Sequence, residues 1–299
     1  MKVAVIGLGS MGMGAALNLV KHGHQVIGCE LREAGRAELI AAGGQAVGAA
    51  ADLPHGIEAL VIFVVNAAQA ESVLFETPSL DRLAPNGVVL CCTTIAPAAA
   101  RAIAARLAER QIVMLDSPVS GGPGAAHAGT MTVMASGPDT AFTRAQPVLD
   151  AVAGRVWNLG PEPGAGSTVK MVNQLLAGVH IAAAAEAMAL GIRAGADPQT
   201  LYDVITTSAG NSWMFENRVP HILDGDDTPK SAVNIFVKDL GIVLDQARAL
   251  SFPLPMSASA HQLFLAAAAA GHGAKDDAFV IRVWEHLAGL KLPDKKHPA

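Results

Sequence analysis

The sequence predicts an α/β chain: an N-terminal doubly wound parallel sheet followed by an all-α C-terminal domain. Three observations predict it. Short apolar runs alternate with helical stretches through the first half. A glycine-rich turn joins the first of those runs to the first helix. Strand signals then stop near Gly166, where long Ala- and Leu-rich stretches begin. Short apolar strands separated by helices belong to a parallel sheet covered on both faces.

In chain order, Lys2–Ile6 (KVAVI) reads as a buried strand, and residues 11–22 as a helix closed by Gly23. Further strands are expected at 25–30 (QVIGCE), 60–65 (LVIFVV), 88–92 (VVLCC), 112–116 (IVMLD) and 131–135 (MTVMA), with helices at 97–110 and 141–152. In the second half, residues 167–194 predict one long helix. Asp197 followed by Pro198 supplies an N-cap acid and a proline at the first helical position, which starts another. Helices are also expected at 232–250, 255–270 and 277–287, and the polar tail from Leu292 is expected to fray. The stretch GPEPGAG at 160–166 marks the domain boundary, giving domains 1–163 and 164–299.

A chain of 299 residues has room for two domains. With 51% hydrophobic and 16% charged residues it can bury a large core, and with 4% aromatics that core is aliphatic. Lys plus Arg number 21 against 26 Asp plus Glu, a net charge of −5, and no basic tract is present. Nucleic acid and anionic membrane are therefore poor partners. Cys29, Cys91 and Cys92 lack metal-site spacing and fit a reduced, cytoplasmic protein better than a disulfide framework. The apolar N-terminus is interrupted by Gly7, Gly9, Gly12 and Gly14 and shows no cleavage site, unlike a secretory signal. His180 and Glu186 inside the apolar run 175–192 favour a buried helix over a membrane span. The histidines carry no paired ligand spacing, so no metal is expected.

Gly7-Leu8-Gly9-Ser10-Met11-Gly12 forms a G-x-G-x-x-G between the first strand and the first helix, the context that gives the motif meaning. Gly7 permits the tight turn, Gly9 lets backbone N–H groups approach a pyrophosphate, and Gly12 lets helix pack on strand. The helix N-terminus adds partial positive charge. This predicts a Rossmann-type dinucleotide site. Glu30, at the end of the second strand, stands where an acid accepts hydrogen bonds from the adenosine ribose and repels a 2′-phosphate, which favours NAD. Arg32 and Arg36 lie close to it and leave NADP open.

Two later segments carry chemistry. Asp116-Ser117-Pro118-Val119-Ser120-Gly121-Gly122 offers a hydroxyl and unhindered N–H groups suited to a small carboxylate, although a plain glycine turn has the same look. In the stretch from Gly164 to Gln174 (GAGSTVKMVNQ), Lys170, Asn173 and Gln174 share one helix face. A lysine beside an oxidised nicotinamide has its charged form disfavoured, which suits it to shuttle the proton of an alcohol–ketone interconversion. Viewed alone, Lys170 also fits a snorkelling surface lysine.

GLGSMG, DSPVSGG and GAGSTVKMVNQ, in this order, resemble the β-hydroxyacid dehydrogenases, the group of 3-hydroxyisobutyrate dehydrogenase and tartronate semialdehyde reductase. The resemblance spans essentially the whole chain and includes Asn211-Ser212-Trp213 and Phe236-Val237-Lys238-Asp239-Leu240. The stretches VNQLLAGVHIAAAAEAMA, SAGNSWMFENRVPHIL and AAGHGAKDD are similar to the branch that oxidises L-threonate. The resemblance implies Lys170 as catalytic acid/base and Asn173 as the residue orienting substrate and lysine. It implies Ser120, Gly121 and Gly122 at the substrate carboxylate, and Asn211 and Ser212 at distal hydroxyls. The cofactor would be lined by Val64, Val65 and Asn66, with Thr94 near the nicotinamide ribose and Lys238 reaching it from the helical domain. The implied reaction is NAD-dependent oxidation at C2 of L-threonate. Independently of the resemblance, a long apolar helix in so small a domain suggests burial against another subunit, in a homodimer or homotetramer. The alternatives are 3-hydroxyisobutyrate oxidation and tartronate semialdehyde reduction; an imine reductase, which usually lacks the lysine; and a nicotinamide-binding protein without turnover. Glu30 in place of the usual Asp, and Val65 where many relatives have Pro, depart from the family pattern.

Overall fold

The computed structural model describes residues 1–292. The chain divides into two compact units, the first ending at Met171 and the second beginning at Val172.

In the first unit, six parallel strands lie in the order β3-β2-β1-β4-β5-β6. They are β1 (Lys2–Ile6), β2 (Gln25–Cys29), β3 (Gln45–Val47), β4 (Ile57–Ile62), β5 (Leu83–Cys91) and β6 (Val113–Asp116). The order reverses between β1 and β4, the switch point where a doubly wound sheet opens a crevice at the carboxyl ends of its strands. Both faces are buried, which is why the strands read as unbroken apolar runs. Val3, Val5, Val61 and Leu90 face one aliphatic core, while Ala4, Ile6, Leu60, Ile62 and Cys91 face another. The first core is covered by α1 (Ser10–Lys21), α5 (Gly122–Ala128) and α6 (Asp139–Val152). Ala100, Ile103 and Leu107 of α4 (Pro97–Ala108) cover the second, with Ala70 of α3 (Ala67–Glu71). The helix α2 (Glu33–Ala41) sends Leu39 into the first core. Cys29, Cys91 and Cys92 are buried and unpaired.

Several expectations need adjustment. The strand expected at 60–65 is Ile57–Ile62, so Val64, Val65 and Asn66 lie in the loop beyond it. Met131–Ala135 does not extend the parallel sheet. As β8 it forms a separate three-stranded sheet, antiparallel to β7 (Val119–Ser120) and parallel to β9 (Ala153–Asn158). The segment after Ser120 is the helix α5, not an open loop. Pro123 stands in its first turn, where its fixed φ favours helix and its missing N–H has no partner to lose.

The long helix α7 (Ala165–Arg193) begins in the first unit, so the units part within it and not at residue 164. Its first turn is tied to β6 and β8 by the contacts described below. By length and composition α7 is the one helix among the described residues that reaches membrane-spanning size. Its Ala177, Ile181, Ala185 and Met188 lie in the core of the second unit. That core also takes residues from α9 (Trp213–Asp224), α10 (Val233–Ala249) and α11 (Pro255–Ala267), including the stacked pair Phe236 and Phe264 at 5.2 Å. The predicted cap of α8 (Pro198–Thr206) is present: Asp197 accepts the Thr200 N–H at 2.8 Å. Residues 277–287, expected as one helix, form a 3-10 turn (Asp277–Arg282) followed by α12 (Val283–Ala288). The expected fraying of the tail lies outside the described residues from position 293 onward.

Candidate active site

Four parallel strands deliver predicted cofactor residues to the carboxyl edge of the sheet, and a fifth brings Asp116 there. Gly7 follows β1, Glu30 follows β2, the segment through Asn66 follows β4, Thr94 follows β5, and Asp116 ends β6. The glycine turn is built as its chemistry requires. Gly7 has φ +89°, and a Cβ there would lie 2.4 Å from the Phe63 carbonyl oxygen. A Cβ on Gly12 would lie 1.9 Å from the Gly7 carbonyl oxygen. A Cβ on Gly9 would meet nothing within 4 Å. Two glycines thus serve backbone packing, and the third faces open space at the N-terminus of α1. That is the cradle a pyrophosphate fits, and the residues present suit a dinucleotide. Leu8, Gly9 and Ser10 line a cleft of about 240 Å³ together with Met13, Arg32, Ala34, Gly35, Glu38 and His127. Met11 lies on α1 beyond them, partly buried.

Glu30 does more than sequence reasoning assigned to it. Its Oε2 accepts the Leu8 N–H at 3.0 Å, and its Oε1 accepts the Arg32 N–H and Nε, each at 3.0 Å. Burial pushes this carboxyl up, but the Arg32 and Leu8 hydrogen bonds outweigh it and hold the pKa below the ordinary value. Arg36 donates to the Glu30 and Leu31 carbonyls, which curls the loop around the acid. One carboxylate therefore anchors the glycine turn and restrains Arg32. Beyond β4, Gln69 accepts the Val65 N–H, while Asn66 caps α3 by accepting the Gln69 N–H at 2.9 Å.

The segments containing Ser120 and Lys170 are joined by Asp116, to which sequence reasoning gave no role. Its side chain is fully buried. Asp116 Oδ2 accepts the Gly164 and Ser167 N–H groups, each at 2.9 Å, and Oδ1 accepts the Ser167 hydroxyl at 2.7 Å. Ser136 donates to the same carboxylate and accepts the Gly166 N–H at 2.9 Å. These are the N–H groups that open α7, so a carboxylate caps the positive end of the longest helix. Burial raises the Asp116 pKa, and the bonds from Ser167, Gly164 and Ser136 oppose it. Gly166 is required at the contact, since a Cβ would lie 2.3 Å from the Met134 carbonyl oxygen. Lys170 follows one turn after Ser167 and is only 7% exposed, so the side chain as a whole is buried. Ser120 ends β7, paired with Thr132. Gly121 and Gly122 both have positive φ, and a Cβ on Gly122 would meet nothing within 4 Å.

In the second unit, Asn173 Nδ2 donates to Gln174 Oε1 at 3.0 Å, and Gln174 Nε2 donates to Asp239 Oδ2 at 2.5 Å. Lys238 is ion-paired with Asp239. Asn211 and Ser212 stand at the start of α9. Ser212 caps it by accepting the Phe215 N–H at 3.0 Å, and Asn211 Nδ2 donates to the Thr206 carbonyl and to Glu216. Asn211 Oδ1 is buried and takes no hydrogen bond from the described residues. Phe215 is buried and stacks on Tyr202, whereas Trp213 is exposed. Among the described residues, no group of three or more His, Cys, Asp or Glu could hold a metal ion.

Residues 2–160 match the model of the NAD-binding domain of 6-phosphogluconate dehydrogenase. Residues 164–284 match the model described as NAD-binding of NADP-dependent 3-hydroxyisobutyrate dehydrogenase. The chain is 54% identical over 294 residues to an L-threonate dehydrogenase of Cupriavidus necator, covering 98% of each. It is 53% identical to that of Escherichia coli K12, covering 98% of this chain and 97% of the relative. A crystal structure described as 3-hydroxyisobutyrate dehydrogenase from Salmonella typhimurium superposes with a TM-score of 0.92 at 52% identity, covering 95% of this chain and 99% of that one.

Proposed function

The chain belongs to the 3-hydroxyisobutyrate dehydrogenase-like family of β-hydroxyacid dehydrogenases, and we propose that it oxidises the C2 hydroxyl of L-threonate with NAD+, Lys170 acting as general acid/base. The observation that carries the mechanism is the burial of Lys170 on a helix whose first turn is fixed by Asp116. Burying a lysine amine costs free energy that hydrogen bonds or ion pairs must offset, and an amine held out of bulk water is suited to exchange a proton with a bound hydroxyl. When bound, the dinucleotide supplies the acceptor for the hydride leaving C2.

The residues of the chain do the remainder. Lys170 takes the hydroxyl proton as the carbonyl forms, and returns it in the reverse direction. Asn173 orients the substrate beside the lysine. Ser120 and the N–H groups of Gly121 and Gly122 hold the substrate carboxylate, and the open space beside Gly122, where a Cβ would meet nothing within 4 Å, leaves room for it. Asn211 Oδ1, buried without a partner among the described residues, supports a contact to a distal hydroxyl, with Ser212 fixing the position of α9. The glycine turn cradles the pyrophosphate, and Glu30 accepts from the adenosine ribose, which favours NAD over NADP. Val64, Val65 and Asn66 line the cofactor site, with Thr94 near the nicotinamide ribose.

The L-threonate assignment rests on two relatives above 50% identity across nearly the whole chain. A second reading, 3-hydroxyisobutyrate oxidation, is favoured by the description of the Salmonella structure. A panel of three- and four-carbon hydroxy acids with NAD+, followed at the nicotinamide absorbance, separates the two, and L-threonate is expected to give the highest kcat/KM. Lys170→Ala is expected to lower turnover by about 10²-fold or more while NADH binding, read by fluorescence, persists. Near-normal turnover would remove Lys170 from the mechanism.

The exposed Val172, Leu176 and Leu190 repeat on one face of α7 and support a homodimer or homotetramer. A monomer by light scattering at micromolar concentration would contradict that. The unpaired buried thiols suit a reducing cytoplasm.

A further inference from the structure

Four polar side chains of the second unit form a relay that ends at Asn173. The helix α7 supplies Asn173 and Gln174, and α10 supplies Lys238 and Asp239. Asp239 is 2% exposed and Gln174 8%. Asp239 Oδ2 accepts from Gln174 Nε2 at 2.5 Å, and Gln174 Oε1 accepts from Asn173 Nδ2 at 3.0 Å. The other carboxylate oxygen, Oδ1, lies 2.5 Å from Lys238 Nζ, as an ion pair and not as an aligned hydrogen bond.

The donor and acceptor inventory of these groups leaves one arrangement. A carboxylate paired with a lysine only accepts. Gln174 must therefore turn its NH2 toward Asp239, which puts its carbonyl oxygen at the opposite end. The NH2 of Asn173 satisfies that oxygen at 3.0 Å, so Asn173 Oδ1 is the amide atom turned away from Gln174. Turning the relay round would set oxygen against oxygen at a buried contact, which costs more than losing the bond.

We propose that Asp239 and Gln174 are positioning residues that fix which way round the Asn173 amide lies, so that it offers the substrate an acceptor and not a donor. The proposal rests on the reading of Asn173 given above. An acceptor at this point takes a hydrogen bond from a hydroxyl of the hydroxy acid, whereas an NH2 group would compete for the oxygen from which Lys170 removes the proton.

Asp239→Asn tests the relay because it is nearly isosteric and has a defined effect. The Lys238 ammonium draws the oxygen of the new amide, so its NH2 faces Gln174. Gln174 then presents its oxygen to position 239 and its NH2 to Asn173, and Asn173 turns its own NH2 outward. The expected result is a loss of about tenfold or more in kcat/KM for the hydroxy acid in a protein that remains folded.

The double variant Gln174→Glu with Asp239→Asn restores the original direction. The carboxylate at 174 accepts from the amide at 239 and from Asn173 at once, with the same net charge. Activity is expected to recover to within about threefold of wild type. A merely structural role for Asp239 predicts no such rescue. An active Asp239→Asn variant, or a folded double variant that stays as impaired as the single one, overturns the proposal.

Neutron diffraction of the wild-type protein reads the same point without any variant. Deuterons must lie on the Gln174 atom facing Asp239 and on the Asn173 atom facing Gln174, and the reverse placement overturns the proposal. Absence of hydroxy-acid oxidation by the wild type would instead count against the assigned function and leave the amide directions to be judged by the neutron map.

Discussion

Glu30→Gln separates the two tasks of that side chain. The substitution keeps the size of the group and one oxygen for the Leu8 N–H, now accepted at 3.0 Å, so the glycine turn keeps its anchor. What it removes is the charge. The partner Arg32 has a side chain 66% exposed, and a pair of that kind contributes about 0–1 kcal/mol, so Tm is expected to move by no more than a few degrees. The adenosine end of the cleft responds differently. A hydrogen bond from a ribose hydroxyl to a carboxylate is worth about 1.5–3 kcal/mol, which corresponds to roughly ten- to a hundredfold in kcat/KM for NAD+. Loss of the charge also removes the repulsion of a 2′-phosphate and releases the guanidinium now held 3.0 Å from Oε1, so use of NADP+ rises. Initial rates with each dinucleotide at saturating hydroxy acid give the ratio, which is expected to fall by about tenfold or more. An unchanged ratio in a protein of normal Tm would refute the idea that this carboxylate reads the ribose.

The glycine turn yields a matched pair of variants. Gly12→Ala drives a methyl to 1.9 Å from the Gly7 carbonyl and is expected to cost about 3 kcal/mol or more in urea denaturation. Gly9→Ala meets nothing within 4 Å, so it should leave the urea midpoint unchanged and weaken NADH binding; tight binding by this variant would count against the cradle. Asp116→Ala strands the buried N–H groups of Gly164 and Ser167, at about 1–3 kcal/mol each, whereas Asp116→Asn keeps one acceptor and should lose less. Burial raises the Asp277 pKa from 3.8 to about 6 despite the Arg218 guanidinium at 2.6 Å. Between those values the fold holds a proton that the unfolded chain has released, so the contribution of Asp277 to stability falls as pH rises through the window and is constant above it. Tm against pH for wild type and Asp277→Asn should diverge across that interval and run parallel above it.

Local chemistry was legible in the sequence, and long-range chemistry was not. The parallel strands announced themselves because both of their faces are buried, and Lys170 stood out through its spacing from Asn173. The helix α5 was hidden by glycine and proline, which read as a turn. It exists because it packs on α1, where a Cβ on Gly14 would lie 2.5 Å from the Ala126 carbonyl carbon. No signal separated β8 from the main sheet, since its apolar run looks like the others. The two carboxylates with the most to do were invisible for one reason. Asp116 finds Gly164 and Ser167 at separations of 48 and 51 residues, and Asp239 finds Gln174 at a separation of 65. Both lie inside motifs that drew notice for neighbouring residues, Ser120 in one case and Lys238 in the other. Their common feature is a buried acceptor-only group, which must recruit N–H donors wherever the fold brings them. A buried Asp within a motif, adjacent to the residues that touch ligand, is therefore the place to look for what holds those residues still. Asp116 fixes the turn before Lys170, and Asp239 fixes the direction of the amide that follows it.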